Sequence, residues 1–500
     1  MTQLALGLRL LNRCLGPWNR TGGAIYICLI SFLIYTSFNI ARKPLSIVKP
    51  VMHGNCVEVA EREGKYIVAE NETFCYWAPF DKDNYSSLFG TLDLVFLAAY
   101  AIGMYFTGHI GDRFHLRHFL TVTCLLTGLV TCVFGFGYYL KIHSFAFYAV
   151  VQLVAGICHS GAWPAVVACV GNWCGKTRRA LIMGIWSTHS SVGCIVGSIM
   201  AGFFLRNGWG LSFVVPGILI AVVGVIIFFF LAPYPEEVGI QPPNTDVAKN
   251  DVNYAVQSDT NKNIGNKAKG TQGQAASSAN VVAYGEVRND AISIWSALRV
   301  PGVVEYSLCL FFCKLVSYTF LFWLPHYISE AGNLDPFVSA QLSTIFDFGG
   351  IIGAILAGFI MDQFSASASL CWVMLILGIP TLYLYRVYGL VSVSSCIGLL
   401  IPLGVFINGP YLLISTAISA ELGIHQSLRS NARALSTVVG IVDATGSAGS
   451  AIGPLLCGVL RPFGWWAAFL MLMTSLLLAA LFLSRLVLRD IQSCTQRRHE

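Results

Sequence analysis

The feature that most constrains this chain is a run of twelve apolar stretches, each long enough to cross a bilayer as a helix. A membrane-spanning helix needs about 20 mostly apolar residues. The stretches fall near 23–41, 86–108, 119–140, 145–171, 180–205, 209–232, 303–328, 339–361, 367–389, 393–420, 432–460 and 463–487. The first follows Arg9, Arg13 and Arg20 and is too long for a signal-peptide core, so it reads as a retained span. Charged residues are only 11% of the 500 positions, against roughly 25% in a soluble domain. Such a chain cannot coat a water-facing surface, which excludes a soluble enzyme. The net charge of +6 is too small and too unevenly placed for nucleic-acid binding. The fold expected is an all-α membrane protein of twelve transmembrane helices, surrounded by membrane lipid.

Two polar segments interrupt the pattern. Residues 42–85 hold Glu58, Glu61, Glu63, Glu70, Glu72, Asp81 and Asp83, and two glycosylation sequons at Asn71 and Asn84. Residues 233–300 are rich in Asn, Lys, Gln, Ser and Gly, a composition that reads as a flexible linker. Lys and Arg in loops set orientation. With a cytosolic N-terminus, the cytosolic side gathers clusters such as Lys176-Thr-Arg178-Arg179 and Arg485 to Arg498, whereas the opposite short loops hold only Lys141, Arg206, Arg386 and Arg461. Both termini and the linker are therefore expected in the cytosol, and the sequon loop in a lumen or outside. Most of the sixteen cysteines lie in apolar stretches and read as small reduced hydrophobes. No CxxC pair suggests a metal or redox site. Cys56 and Cys75 share the polar loop, where an oxidising lumen would allow a disulfide.

The two halves repeat. Gly108-His-Ile-Gly-Asp112 after the second stretch returns as Gly358-Phe-Ile-Met-Asp362 after the eighth, 250 positions on. Arg179-Ala-Leu returns as Arg433-Ala-Leu at 254, and Gly208-Trp209 as Gly464-Trp465 at 256. Three echoes in order argue for a duplicated six-helix unit, an architecture of transporters with a site between the halves. The expected organisation is an N-terminal half over 1–232, a cytosolic linker over 233–300, a C-terminal half over 301–487 and a tail over 488–500.

The loop Gly108-His-Ile-Gly-Asp112-Arg113-Phe-His-Leu-Arg117 resembles the loop motif of the major facilitator superfamily. That resemblance implies a gating or capping role for Asp112 and Arg113; the second copy has Gln363 after Asp362 and lacks the basic residues. A narrower resemblance rests on Asn39-Ile-Ala-Arg42-Lys43-Pro44, Ser160-Gly-Ala-Trp163-Pro164, Trp186-Ser-Thr-His189 and Asn408-Gly409-Pro410. Together these look like the organophosphate:phosphate antiporters. The segments Ala41–Lys49 and Lys314–Phe320 look most similar to the animal sugar-phosphate exchangers of the endoplasmic reticulum.

A phosphate monoester needs cationic, multi-donor partners in a low-dielectric cavity, and the planar fork of arginine suits it best. Charge inside a span is costly and marks function. Arg42 shares a helical face with Tyr35 and Asn39, and by resemblance it is the phosphate arginine of the first span. Lys43 is expected to reach the headgroups instead. Lys314, deep in the seventh stretch, is the expected second cation or the partner of a carboxylate. Ser317 stands where the bacterial exchangers carry their second arginine, and Met104 where they carry a lysine, so the phosphate clamp is expected to be asymmetric. His189, Tyr100, Trp163 and Asn408 match cavity residues of the family. Asp443, the counterpart of His189 in the second half, is a possible partner for it.

The reading is an antiporter that exchanges a sugar phosphate, such as glucose 6-phosphate, for inorganic phosphate, most readily placed in the endoplasmic reticulum. No cofactor is implied and no Walker-type motif is evident. The rivals are a facilitator or proton-coupled transporter of another organic anion, and a non-transporting phosphate sensor.

Overall fold

A computed structural model describes residues 7–8, 19–53, 77–111, 114–173, 179–205, 208–240, 295, 298–364, 366–423 and 434–499. Among them every regular element is helical, and twelve helices are long and apolar enough to cross a membrane. The chain is a multi-pass membrane protein. Large side chains such as Leu29, Phe106, Phe203 and Leu470 are more than 60% exposed; facing hydrocarbon they are in their preferred solvent.

The first span is longer than the sequence suggested. It runs Arg20–Met52, as a helix Arg20–Arg42 followed by a helix Pro44–Met52. Lys43 keeps helical angles at the junction, so the chain turns little there. The polar loop therefore begins after Met52, not at 42. Lys43, Pro44, Lys49 and Pro50 dilute the hydropathy of this stretch, but prolines are tolerated in spans whose neighbours satisfy the freed backbone groups. Asn71, Cys56, Cys75, Asp112 and Arg113 lie outside the described residues. Asn84 is exposed, one residue before the helix Tyr85–Gly111.

The halves pack as copies. In the first, span one packs on five and six, two on four, and three on six. In the second, seven packs on eleven and twelve, eight on ten, and nine on twelve. The seams between halves obey the same symmetry: span two meets eleven, five meets eight, and the Pro44–Met52 segment meets seven. The fifth span approaches the first closely because its facing residues are small. A Cβ on Gly193 would lie 2.7 Å from the Thr36 carbonyl oxygen, and one on Gly197 2.9 Å from the Lys43 Cβ. Small-residue stripes are the usual device for close helix packing in lipid.

One core cluster fills the second half, with Leu310, Leu375 and Leu403 fully buried. Another crosses the seam at the end of the bundle that carries Phe80, joining Leu45, Val48 and Phe89 to Phe322 and Trp323. After the sixth span the chain remains ordered through a short 3-10 helix at Pro235–Val238. Its Glu237 lies 3.5 Å from Arg117 and 3.0 Å from His115, so the first residues of the expected free linker are tied to the start of the third span. Burial pushes the Glu237 carboxyl up, against the pull of Arg117.

Candidate substrate site between the two halves

Arg42 is the centre of the site. The continued first span carries it away from a helix end and into the middle of the bundle, where it is buried. Its Nη1 donates to the Tyr318 hydroxyl at 3.2 Å. Its guanidinium carbon lies 5.0 Å from the Tyr100 ring centroid and 5.5 Å from that of Phe96. Nε finds no acceptor among the described residues. Among the described residues no carboxylate pairs with it. Aromatic faces stabilise a cation modestly, but they supply no negative charge, so a buried Arg in this setting is short of an anion.

The tyrosines around it form a connected patch. Tyr35 and Tyr100 share a hydrogen bond of 3.3 Å between hydroxyls. The Tyr35 ring lies 5.0 Å from Trp163 and 4.7 Å from His189. His189 is buried behind them, 4.6 Å from Trp186, and neither ring nitrogen has a partner among the described residues. The fifth span breaks at Thr188, so His189 opens a new helix, His189–Phe204. Trp186 is fixed by its own bond to Ser31 at 3.0 Å.

Lys314 does not reach Arg42's patch as a free cation. It donates to Asp443 at 2.7 Å, and both side chains are buried. Asp443 thus pairs with Lys314, not with His189 across the pseudo-twofold. Ser317, one turn further along the seventh span, donates to Asn408 at 2.6 Å. Asn39 donates to its own helix at the Tyr35 carbonyl, 2.9 Å away. Two small cavities flank this centre. One is lined by Arg42, Phe96, Gln152 and His159. The other lies between the halves and is lined by Asn39, Ser317, Tyr318, Asp347, Asn408 and Tyr411, among others.

Lys43 is placed differently from expectation. It is buried, and its Nζ donates to the Leu321 carbonyl at 3.0 Å. The Ser46 hydroxyl donates to the same oxygen at 2.8 Å. Four residues on, Pro325 has no N–H to give that carbonyl, so the first span fills a vacancy in the seventh. Lys49 adds a bond to Phe322 O at 3.2 Å while paired at 2.5 Å with Asp93, both fully buried.

The sequence matches the Major Facilitator Superfamily over residues 27–427. The chain belongs to the major facilitator superfamily. Within the superfamily it is similar over nearly its whole length to curated sugar-phosphate exchangers. Glucose-6-phosphate exchanger SLC37A2 of Bos taurus is 48% identical over 476 residues, covering 95% of each chain. SLC37A2 of Danio rerio is 46% identical, covering 98% of this chain and 97% of its own. Glucose-6-phosphate exchanger SLC37A1 of Homo sapiens is 43% identical, covering 99% and 97%.

In this major facilitator chain the cavity-lining groups that sequence reasoning missed include His159, Ser191, Tyr318, Asp347 and Tyr411. Asp347 and His159 carried a usable signal, an ionisable side chain inside an apolar stretch. The tyrosines carried none, since aromatics are common in any span.

Proposed function

We propose that this protein is an antiporter that exchanges glucose 6-phosphate, or a related sugar phosphate, for inorganic phosphate by alternating access. The observation that carries the proposal is Arg42, a buried guanidinium between the halves with an unused donor and no carboxylate partner among the described residues. A phosphate group supplies the missing charge and accepts from the fork bidentately. Tyr318 and one hydroxyl of the Tyr35–Tyr100 pair, whose other hydroxyl donates within the pair, offer further donors. Lys314 is already paired with Asp443 and the Lys43 ammonium is held against a carbonyl, so Arg42 is the cation left to meet an anion. Binding of either anion supplies the missing counter-charge and lets the halves rock; the empty, charged site resists closure. Because the shared group is the phosphate, one site serves both cargoes in turn, which is exchange. The sugar-phosphate class follows the names of the relatives.

The proposal extends to topology. Cytosolic termini, a lumenal loop after Met52 bearing glycan at Asn71 and a Cys56–Cys75 disulfide, a gating role for Asp112 and Arg113, and residence in the endoplasmic reticulum agree with the loop charges and the family resemblance.

Purified protein in proteoliposomes tests the activity. Vesicles loaded with phosphate should take up labelled glucose 6-phosphate, and phosphate-free vesicles should not. Equal uptake without internal phosphate would overturn exchange in favour of a facilitator, and no uptake in either would favour a sensor.

A further inference from the structure

The inter-half cavity that Tyr318 lines contains a group that phosphate chemistry does not need. Asp347 lies twelve residues into the eighth-span helix Pro336–Phe364 and is 6% exposed. Among the described residues its carboxylate has no hydrogen-bond donor and no ion pair. Lys43 is the charged group whose field reaches it, but the Lys43 ammonium is engaged with Leu321 O at 3.0 Å. An unpaired carboxylate inside a membrane protein is expensive to retain.

The other polar groups of this cavity are neutral. Asn39, Ser190, Ser191, Ser317 and Asn408 line it with Asp347. Asn408 uses its oxygen to accept from Ser317 at 2.6 Å, and its amide nitrogen has no acceptor among the described residues. Space for that amide is kept by Gly350. A Cβ there would fall 2.6 Å from Asn408 Nδ2 and 3.0 Å from Ser191 Oγ. The cavity thus presents strong acceptors at Asp347, a donor at Asn408 and hydroxyls that do either. A phosphate dianion would be repelled here. A polyol is what such a set fits, because a carboxylate accepts from neighbouring hydroxyls while amides and serines complete the network. Tyr318 and Asn39 join the two ends: Tyr318 lines this cavity and accepts from Arg42, and Asn39 lies one turn before Arg42 on the first span.

We propose that Asp347, with Asn408 and Ser191, is the subsite for the sugar hydroxyls of the transported ester, opposite the phosphate end at Arg42. This rests on the exchange reading above. Sugar hydroxyls replace the Ser317–Asn408 bond on entry, and inorganic phosphate leaves the subsite unfilled. Asp347 therefore sets selection between the two cargoes, not the grip on phosphate.

The test compares two exchanges in the same vesicles: phosphate against phosphate, and glucose 6-phosphate against phosphate. Asp347→Asn keeps the shape and removes the charged acceptor. The ratio of sugar-phosphate to phosphate exchange should fall about tenfold or more, as loss of a hydrogen bond to a charged group implies. Gly350→Ala, which crowds Asn408 and Ser191 without touching a charge, should lower the same ratio, and it carries the test if the Asp347 variant fails to reach the membrane. If the variants slow both exchanges in parallel, or leave the ratio at the wild-type value, the subsite is overturned. If the wild-type protein exchanges phosphate but takes up no sugar phosphate, it is the exchange reading that falls, and the subsite with it.

Discussion

Arg42 and Lys43 are adjacent, both buried and both cationic, yet they have opposite jobs. The Lys43 ammonium has a full acceptor in the Leu321 carbonyl. The Arg42 fork has a single tyrosine hydroxyl and aromatic faces. One charge is engaged by the backbone; the other is the one we propose meets the phosphate. Replacing Arg42 with Ala should abolish exchange of phosphate and sugar phosphate together, with the protein still inserted. Arg42→Lys keeps the charge and loses bidentate geometry, so rescue should be partial. The loss for Ala should be on the order of a hundredfold or more, as for removing one partner of a buried charge pair. Labelled phosphate uptake into phosphate-loaded proteoliposomes, at matched expression, measures it. Near wild-type exchange by Arg42→Ala would move the phosphate end elsewhere.

At the scale of elements, the seventh span is the acceptor and the first span the donor. Pro325 leaves the Leu321 carbonyl without its helical partner, and Lys43 and Ser46 reach across the seam to fill it. Pro325→Ala returns an N–H to that oxygen and so weakens the hold between the spans. A reporter cysteine at position 321 should then be alkylated faster in the variant than in the same background with Pro325 retained; equal rates would mean the seam closes by apolar packing alone. This latch also explains what was legible beforehand. The twelve spans and the duplication were readable because lipid demands long apolar runs and the repeats sit at turns. The extent of the first span was not, because the carbonyl acceptors that make Lys43, Ser46 and Lys49 tolerable lie some 270 positions away. Lys49 and Asp93 went unnoticed as a pair for the same reason: each is costly alone, and only the fold brings them to 2.5 Å. Arg42, Tyr100, Trp163 and His189 could be named from family resemblance and Tyr35 from its helical face, but the pairing of Lys314 with Asp443 could not, since repeat offsets matched Asp443 to His189 instead.

For the whole molecule, the halves pack as mirrored copies and meet along three seams, the arrangement that the proposed rocking about a central site requires. The sidedness proposed for it from the loop charges is open to a direct check. An endoglycosidase should reduce the apparent mass of the native protein, and Asn71→Gln should remove that shift. Protection of Asn71 from glycosylation in cells would reverse the assignment of the long loop to the lumen.

The seam at the Phe80 end has a further consequence. Closing two surfaces with hydrocarbon alone makes opening steeply uphill, since each Å² of apolar area wetted costs roughly 25 cal/mol. Here the interface is seeded with ammonium groups held against carbonyls. When it opens, water solvates those lysines strongly and recovers part of the desolvation cost that closure imposed. Wetting, which would resist a purely greasy seal, is thus recruited to part it. The contact can be tight when dry and still come apart within the working cycle of a carrier.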